Sequence, residues 1–470
     1  MNYMEEKNMK KLTTIIAIML VAVFSAQMVF AQCGGEAAAA PAAEKKDGPV
    51  EVLLWSAVSG SIANCLQQTV DEFNASQDKY FVNVEYQGGY MDIYTKLTTT
   101  LNKEDLPDMA IVSTELCGTY RLTPELLAPL SDFWKADEEP WGNLNGALKA
   151  IWGDANGNPS CFPMGNSFYG QFVNADIFAA AGIDPYEALT SVKGLYETCK
   201  KLVDGGFCKY GASLDSWGGF VWYGLAAAGV QFMDNGNGHL GDPTKILIST
   251  PEVRAALYDY FYYFRKMQQE NLIVPYGSSW GDESLPAFAT KQCAICTGSI
   301  AAFNRVEKAM ADAPFALAWV PCWSAVDLGH APDGYAASGT GFCVINSGNK
   351  EAMQGAADFI AYSGSVVPQV RLDMNSGYLP INEAVLNSAE YQEFVTNRFP
   401  AAKRAFEIQQ AAAVDYQHTN ALNPINNACQ SASAAAWSKV MSDFDADINA
   451  VIDEMQTTLQ DALDLWNATK

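Results

Sequence analysis

Val50-Glu-Val-Leu-Leu-Trp55 opens the stretch whose reading decides the fold. It alternates and then runs apolar, as a buried strand does. Ile62, Cys65, Leu66, Val70 and Phe73 then recur at helical spacing, and Asn74-Ala-Ser-Gln-Asp-Lys79 breaks that helix. Phe81-Val-Asn-Val-Glu-Tyr86 reads as a second strand and Gln87-Gly88-Gly89 as a turn. Tyr90, Ile93, Tyr94, Leu97 and Leu101 mark a second helix, and Pro107-Asp108 leads into a third strand at Met109-Ala-Ile-Val112. The order β-α-β-α-β predicts a parallel sheet with helices on its faces. In open α/β sheets ligands bind beyond the carboxyl ends of the strands. Here those ends carry Ser56 to Ser59, Gln87 to Tyr90, and Ser113-Thr-Glu115, small, polar or aromatic residues that suit a wet crevice.

Upstream, Met9-Lys10-Lys11 precedes a mostly apolar run from Leu12 to Phe30, then Cys33-Gly34-Gly35 and an Ala/Pro/Glu/Lys stretch to Asp47. Residues 1–32 read as an export signal and 33–48 as a flexible tether. Cys33 in that place is the candidate lipid anchor, holding the folded part at the membrane on its outer side. The competing reading is cleavage after Ala31 and free secretion, because Gln32 stands where a lipoprotein signal carries a small residue. Ser25, Gln27 and Gln32 interrupt the apolar run, and no later stretch reaches the ~20 apolar residues a spanning helix needs. A cell-envelope or periplasmic location excludes most metabolic enzyme classes.

The remaining chain is too long for one ordinary core and predicts two lobes. The approximate division is 49–160 with 290–345 for lobe 1, and 165–285 with 350–470 for lobe 2. With 53 acidic against 29 basic residues the net charge is −24. Such a surface repels nucleic acid and anionic lipid head groups. Of eleven cysteines, Cys33 is set aside for the anchor; the others show no compact disulfide framework. Several sit in apolar runs such as Phe342-Cys343-Val344-Ile345, so most are expected to be buried free thiols. The pairing does not follow from spacing.

Asp154-Ala-Asn-Gly-Asn-Pro159 begins like a calcium loop, but Pro159 stands where that loop needs glycine, and a hairpin tip is the better reading. Cys161 to Gly170 is apolar and Gly-rich, as suits a crossing between lobes. Cys293-Ala-Ile-Cys296 has the spacing of a redox or zinc pair. On a strand the two point to opposite faces, and no second pair completes a zinc set. At the end of the chain Ile448, Val451, Ile452, Met455, Leu459, Leu463 and Trp466 form one amphipathic helical face.

These marks allow a comparison with known families. Trp55, Glu72-Phe73-Asn74-Ala75, Tyr86-Gln-Gly-Gly-Tyr90, Leu106-Pro107-Asp108, Phe172-Val-Asn-Ala-Asp-Ile-Phe178, Ala289-Thr-Lys-Gln-Cys-Ala-Ile295 and Ser376-Gly-Tyr-Leu-Pro-Ile381 follow one another in that order. Together they resemble the extracellular solute-binding proteins of ABC importers, in the branch that binds sn-glycerol-3-phosphate and related carbohydrate compounds. The resemblance covers nearly all of the chain after the signal. It implies an α/β fold of two Rossmann-like lobes joined by a hinge (periplasmic binding protein-like, type II), with a helical C-terminal tail. It implies a small carbohydrate or polyol ligand trapped between the lobes and delivered to a membrane permease. A monomer without cofactor, metal or catalytic residue is expected.

By local match the resemblance also implies ligand contacts from Tyr90, Glu115, Ser167, Trp217, Ser299, Gly339 and Tyr378. One departure matters. The glycerol-phosphate branch holds the phosphate with an arginine, whereas this chain has Tyr416-Gln-His-Thr-Asn-Ala-Leu-Asn-Pro424, with His418 near its place. Bidentate arginine is the strong way to hold phosphate, and a histidine only half-charged near pH ~6.5 is a poor substitute. The expected ligand is therefore a sugar, polyol or glycerol-phosphate-type compound, with the missing arginine favouring a neutral sugar or polyol.

Each contact has a plainer reading. Large aromatics, Trp222 included, are commonly core; Glu115 could pair with Arg121; Ser167, Ser299 and Gly339 could serve only as turn residues. Two other functions stay open. A carbohydrate-active hydrolase needs only two carboxylates, and a sensor or adhesin needs only the binding site. The three histidines and the lack of a Gly-x-Ser-x-Gly elbow or phosphate loop speak against most other enzymes.

Overall fold

The computed structural model describes residues 48–121, 123, 125–154, 156–214, 220–277 and 280–469. Its first strands follow the expected alternation. β1 (Val50–Ser56) pairs in parallel with β2 (Tyr80–Tyr86), Val50 opposite Tyr80, and with β3 (Met109–Ser113), Leu54 opposite Met109. Helix Gly60–Ser76 buries Cys65, Leu66, Val70 and Phe73. Helix Tyr90–Thr99 buries Ile93 and Leu97 and stops short of Leu101, which is exposed. Asp108 locks this corner: its carboxylate accepts from Leu53 N–H (2.9 Å) and from Ser347 Oγ (2.7 Å). Burial pushes its pKa up.

The further strands are β4 (Leu127–Ala128), β5 (Phe162–Asn174), β6 (Tyr210–Ser213), β7 (Cys293–Ser299), β8 (Leu317–Pro321) and β9 (Ala337–Ile345). Among the described residues they form one path, β2-β1-β3-β9-β5-β7-β6, with β4 on β9 and β8 on β5. The long β5 is the crossing strand. Its first half pairs with β9, Phe162 opposite Phe342 through Phe168 opposite Ala337. Its second half pairs with β7, Tyr169 opposite Ser299, and with β8, Gly170 opposite Pro321.

Two hydrophobic clusters flank this crossing. The first gathers β1 to β3 with Trp141, Trp152, Phe342, Phe359, Tyr391 and Phe406; the second gathers Leu195, Leu257, Phe264, Trp323, Trp437 and the final helix. Helix Ile448–Ala468 buries Ile448, Val451, Ile452, Met455, Leu459 and Leu463, the expected face.

The two clusters cut across the approximate lobe bounds at several segments. Residues 350–406, expected with the second lobe, pack in the first cluster. β9 returns the chain beside β3, so the helix after it, Lys350–Ser363, lands on β1 and β2. Phe359 meets Phe73 with ring centroids 5.4 Å apart, and Gly355 lies against Val52 and Tyr80. The second cluster resumes only with Ile425 and Cys429. β7, expected in lobe 1, is shared between the clusters: Cys293 and Cys296 join the first, Ala294 and Ile295 the second.

The hairpin tip is closed by an antiparallel bridge between Gly153 and Pro159. Asp154 accepts there from the backbone of Asn156 and Asn158, both at 2.8 Å. Among the described residues no helix is long and apolar enough to cross a membrane.

Candidate functional site

At the end of β2 the chain turns through Gly88 (φ 98°) and Gly89. The Asp92 carboxylate accepts from Gly89 N–H at 2.7 Å, which starts a helix at Tyr90 and sets that ring at the mouth of the sheet. At the end of β3, Ser113 hands directly into helix Thr114–Arg121. The two carboxyl ends thus present Gly89, Tyr90 and Met91 on one side, Ser113 and Leu116 on the other. Both sets line a cavity of about 390 Å³.

The opposite wall is built where β5 changes partner. Ser167 lies opposite Ser338 on β9, and Tyr169, two residues on, lies opposite Ser299 on β7. The Ser167 and Ser299 hydroxyls are 2.6 Å apart, and Ser299 Oγ also accepts from Ala301 N–H. Gly339 has φ 131°, and a Cβ there would stand 2.1 Å from the Gly165 carbonyl oxygen. The strands can approach this closely only with glycine at that position. Tyr378 is seated by the same economy, since a Cβ on Gly165 would fall 2.5 Å from its ring. Its turn is held by Leu379 N–H to Asn166 O (2.8 Å) and by the reciprocal amide pair Asn166–Gln409. That pair is buried and fully used, so it fixes the turn without an orphaned polar group.

Tyr169, Ser299, Ser338, Gly339, Tyr378 and Gln430 complete the lining. Tyr90 packs on the first cluster and Tyr169 on the second, so the cavity lies between them. No described lining residue carries a charge. The surface on offer is phenol rings, hydroxyls, one side-chain amide and strand-end backbone. Such a site can stack on a sugar's C–H face and hydrogen-bond its hydroxyls.

Of the residues the sequence nominates, Tyr90, Ser299, Gly339 and Tyr378 come together here, and Ser167 stands directly behind Ser299. His418 does not join them in the lining. Its Nδ1 lies 2.9 Å from Asp415 Oδ1, its ring lies against Gly229 and Gly334, and it is not among the cavity's lining residues. Trp222 packs on Phe232, with ring centroids 4.4 Å apart, as core. Trp217, Cys33 and the Glu115 side chain lie outside the described residues.

Sequence reasoning missed Tyr169, Ser338 and Gln430. Strand alternation would have given Tyr169 from Ser167, and Ser338 adjoins Gly339. Gln430 has no local signal, because only tertiary packing of helix Asn426–Ser442 brings it to the cleft.

Residues 68–398 match the family described as bacterial extracellular solute-binding protein. The chain is 22% identical over 352 residues to the sn-glycerol-3-phosphate-binding periplasmic protein UgpB of Brucella abortus (strain 2308), covering 73% of this chain and 77% of that one. Among solved structures, the cyclic alpha-maltosyl-1,6-maltose binding protein of Arthrobacter globiformis superposes with a TM-score of 0.66 at 23% identity, over 88% of this chain and 99% of that one. UgpB of Mycobacterium tuberculosis in complex with glycerophosphocholine does so with a TM-score of 0.66 at 17% identity, over 90% and 100%.

Proposed function

The chain belongs to the bacterial extracellular solute-binding protein family, and from that premise we propose that it captures a neutral sugar or polyol between its two halves and hands it to an ABC permease. It works outside the cytoplasm, held to the membrane through Cys33, and performs no chemistry on its ligand. One observation carries the ligand class: Tyr90, Tyr169 and Tyr378 share a cavity with Ser113, Ser299, Ser338 and Gln430, and no described lining residue is cationic. A phosphate monoester would enter without a counter-charge, against a net protein charge of −24. His418 is not among the described lining residues, and its ring is engaged with Asp415. By the family resemblance, Glu115 and Trp217 are proposed as further ligand contacts.

Closure follows from where the cavity sits. Ligand contacts on Tyr169 and Ser299, the latter bonded to Ser167, fall at the point where β5 passes from one set of partners to the other. A ligand touching both sides favours the closed arrangement by its differential contacts.

The second reading is a glycerol phosphate or its diester, favoured by the names of the Brucella and Mycobacterium relatives. Thermal unfolding of the exported chain separates the two. The panel is mono- and disaccharides, polyols, glycerol-3-phosphate and glycerophosphodiesters. A ligand at 100 times its Kd stabilises by about 2.7 kcal/mol, which is readily seen. A shift with neutral sugars or polyols alone is expected. A shift confined to the phosphates overturns the ligand class, and no shift at all reopens the hydrolase, sensor and adhesin readings.

A further inference from the structure

Cys161 and Cys343 face each other across the crossing. The β5–β9 register runs from Phe162 opposite Phe342, so one step back places Cys161 across from Cys343. Directly opposed residues on antiparallel strands have Cα atoms about 4.5–5.5 Å apart, within the span a disulfide bridges. The two sulfurs approach to 2.7 Å, and both residues are wholly buried. They are 182 residues apart in sequence, so no local turn forces the meeting. Trp152 packs over the same strands: its carbonyl accepts from Cys161 N–H and its ring lies against Gly341.

We propose that Cys161 and Cys343 are joined by a disulfide that clamps β5 to β9 on the first-cluster side of the crossing. The proposal rests on the extracellular setting of the family, where dithiols are oxidised, and not on the ligand assignment. The bond forms by exchange as the chain folds, before the strands are covered. One thiolate attacks a disulfide donor and makes a mixed disulfide; the other displaces the donor sulfur. Two thiol protons and two electrons leave the pair, and the donor departs as its dithiol. The clamp holds the strand register just before the irregularity between Pro163 and Gly165, leaving movement to the part of β5 that lines the cavity.

Other thiols make the claim specific. Burial raises the pKa of Cys199, Cys293, Cys322 and Cys429 in the folded protein, so a bridge at any of them would likewise have to form before it is covered. Cys199, Cys208, Cys293 and Cys296 lie close enough to influence one another's ionisation, and any bridge there would be a different result.

The test uses the full exported chain, denatured in an alkylating reagent with and without reductant and then mapped by mass spectrometry. Two fewer labels without reductant, and a linked peptide joining Cys161 to Cys343, are expected. Fragmentation between Cys322 and Cys343 identifies the partner. Full labelling without reductant, or a link between other cysteines, overturns the proposal. A second readout uses Cys161→Ala, Cys343→Ala and the double variant. A bridge closing so long a loop predicts a Tm loss of about 5 °C, equal in all three and reproduced by reducing the natural protein. Losses that add from single to double variant, with no effect of reductant, would mean two packed thiols and no bond.

Discussion

Two cavities of nearly the same size make an instructive pair. The one at the strand ends has about 390 Å³ and a lining of tyrosines, serines and one glutamine. The other, about 380 Å³, lies beside β8 and helix Pro400–Ala411 and includes Asp333, Arg404 and Glu407. The second carries the charge, yet Arg404 pairs with Glu407 at 3.7 Å and lies over the Tyr186 ring. Both members of that pair are more than half exposed, so the pair contributes little. Volume does not distinguish the cavities. Topology does: the first takes residues from the carboxyl ends of β2 and β3 and from the point where β5 changes partner, so its lining draws on both hydrophobic clusters.

The sharpest way to break this comparison is Tyr90→Ala against Arg404→Ala. Tyr90 is half-buried at a helix start, so its loss spares the core. Tyr90→Ala should weaken binding about 30-fold by calorimetry, as for an aromatic contact worth ~2 kcal/mol, and Arg404→Ala should change nothing. The reverse pattern would move the site to the second cavity.

A smaller effect is expected at Gly118. A Cβ there would stand 2.6 Å from the backbone nitrogen of Asn423, in the segment leading to the second cluster. Gly118→Val should hold the halves apart and weaken binding about tenfold, roughly 1.4 kcal/mol, with a larger radius of gyration in the liganded protein. Unchanged scattering and affinity would show that this contact does not limit closure.

Ser299→Ala comes next. It removes one hydroxyl from the cavity and the partner of Ser167, so about a fivefold loss is expected for a hydrogen bond worth ~1 kcal/mol. No loss by the same calorimetry would assign Ser299 to the turn it caps.

Asp373→Asn should leave affinity untouched and serves as the control for stability. Asp373 is fully buried with neither carboxyl oxygen hydrogen-bonded, and burial raises its pKa well above the usual value. A raised carboxyl pKa means the folded state keeps a proton that the unfolded chain loses. Stability therefore falls as pH rises above the unfolded value of about 3.9. The Asn variant should unfold at a higher temperature than the natural protein at about pH 7, and the gap should close near about pH 4. A gap independent of pH would mean that Asp373 is not the group responsible.

The contrast between the cavities also marks what a sequence conveys. The β-α-β-α-β opening was legible because period-two and helical patterns are local, and the strand-end rule then pointed at Tyr90 and Ser113. Tyr378 and Gly339 came through the family resemblance; the packing reason visible here is for glycine at 339 and 165, where a Cβ would strike the Gly165 carbonyl and the Tyr378 ring. Leu101 kept the helical spacing yet lies beyond the helix, since periodicity does not say where a helix ends. The return of residues 350–406 to the first cluster was not legible, because it depends on where β9 pairs. His418 matched a sequence position, but its ring is turned to Asp415.

The most direct measurement is the dissociation constant of one sugar and of its own phosphate monoester, taken on the exported chain in the same buffer. The sugar is the one that gives the largest thermal shift. The account predicts that adding the phosphate weakens binding at least about 100-fold, some 2.7 kcal/mol, because no described lining residue offers the group a cation. An ester that binds as tightly as the sugar, or more tightly, would contradict it.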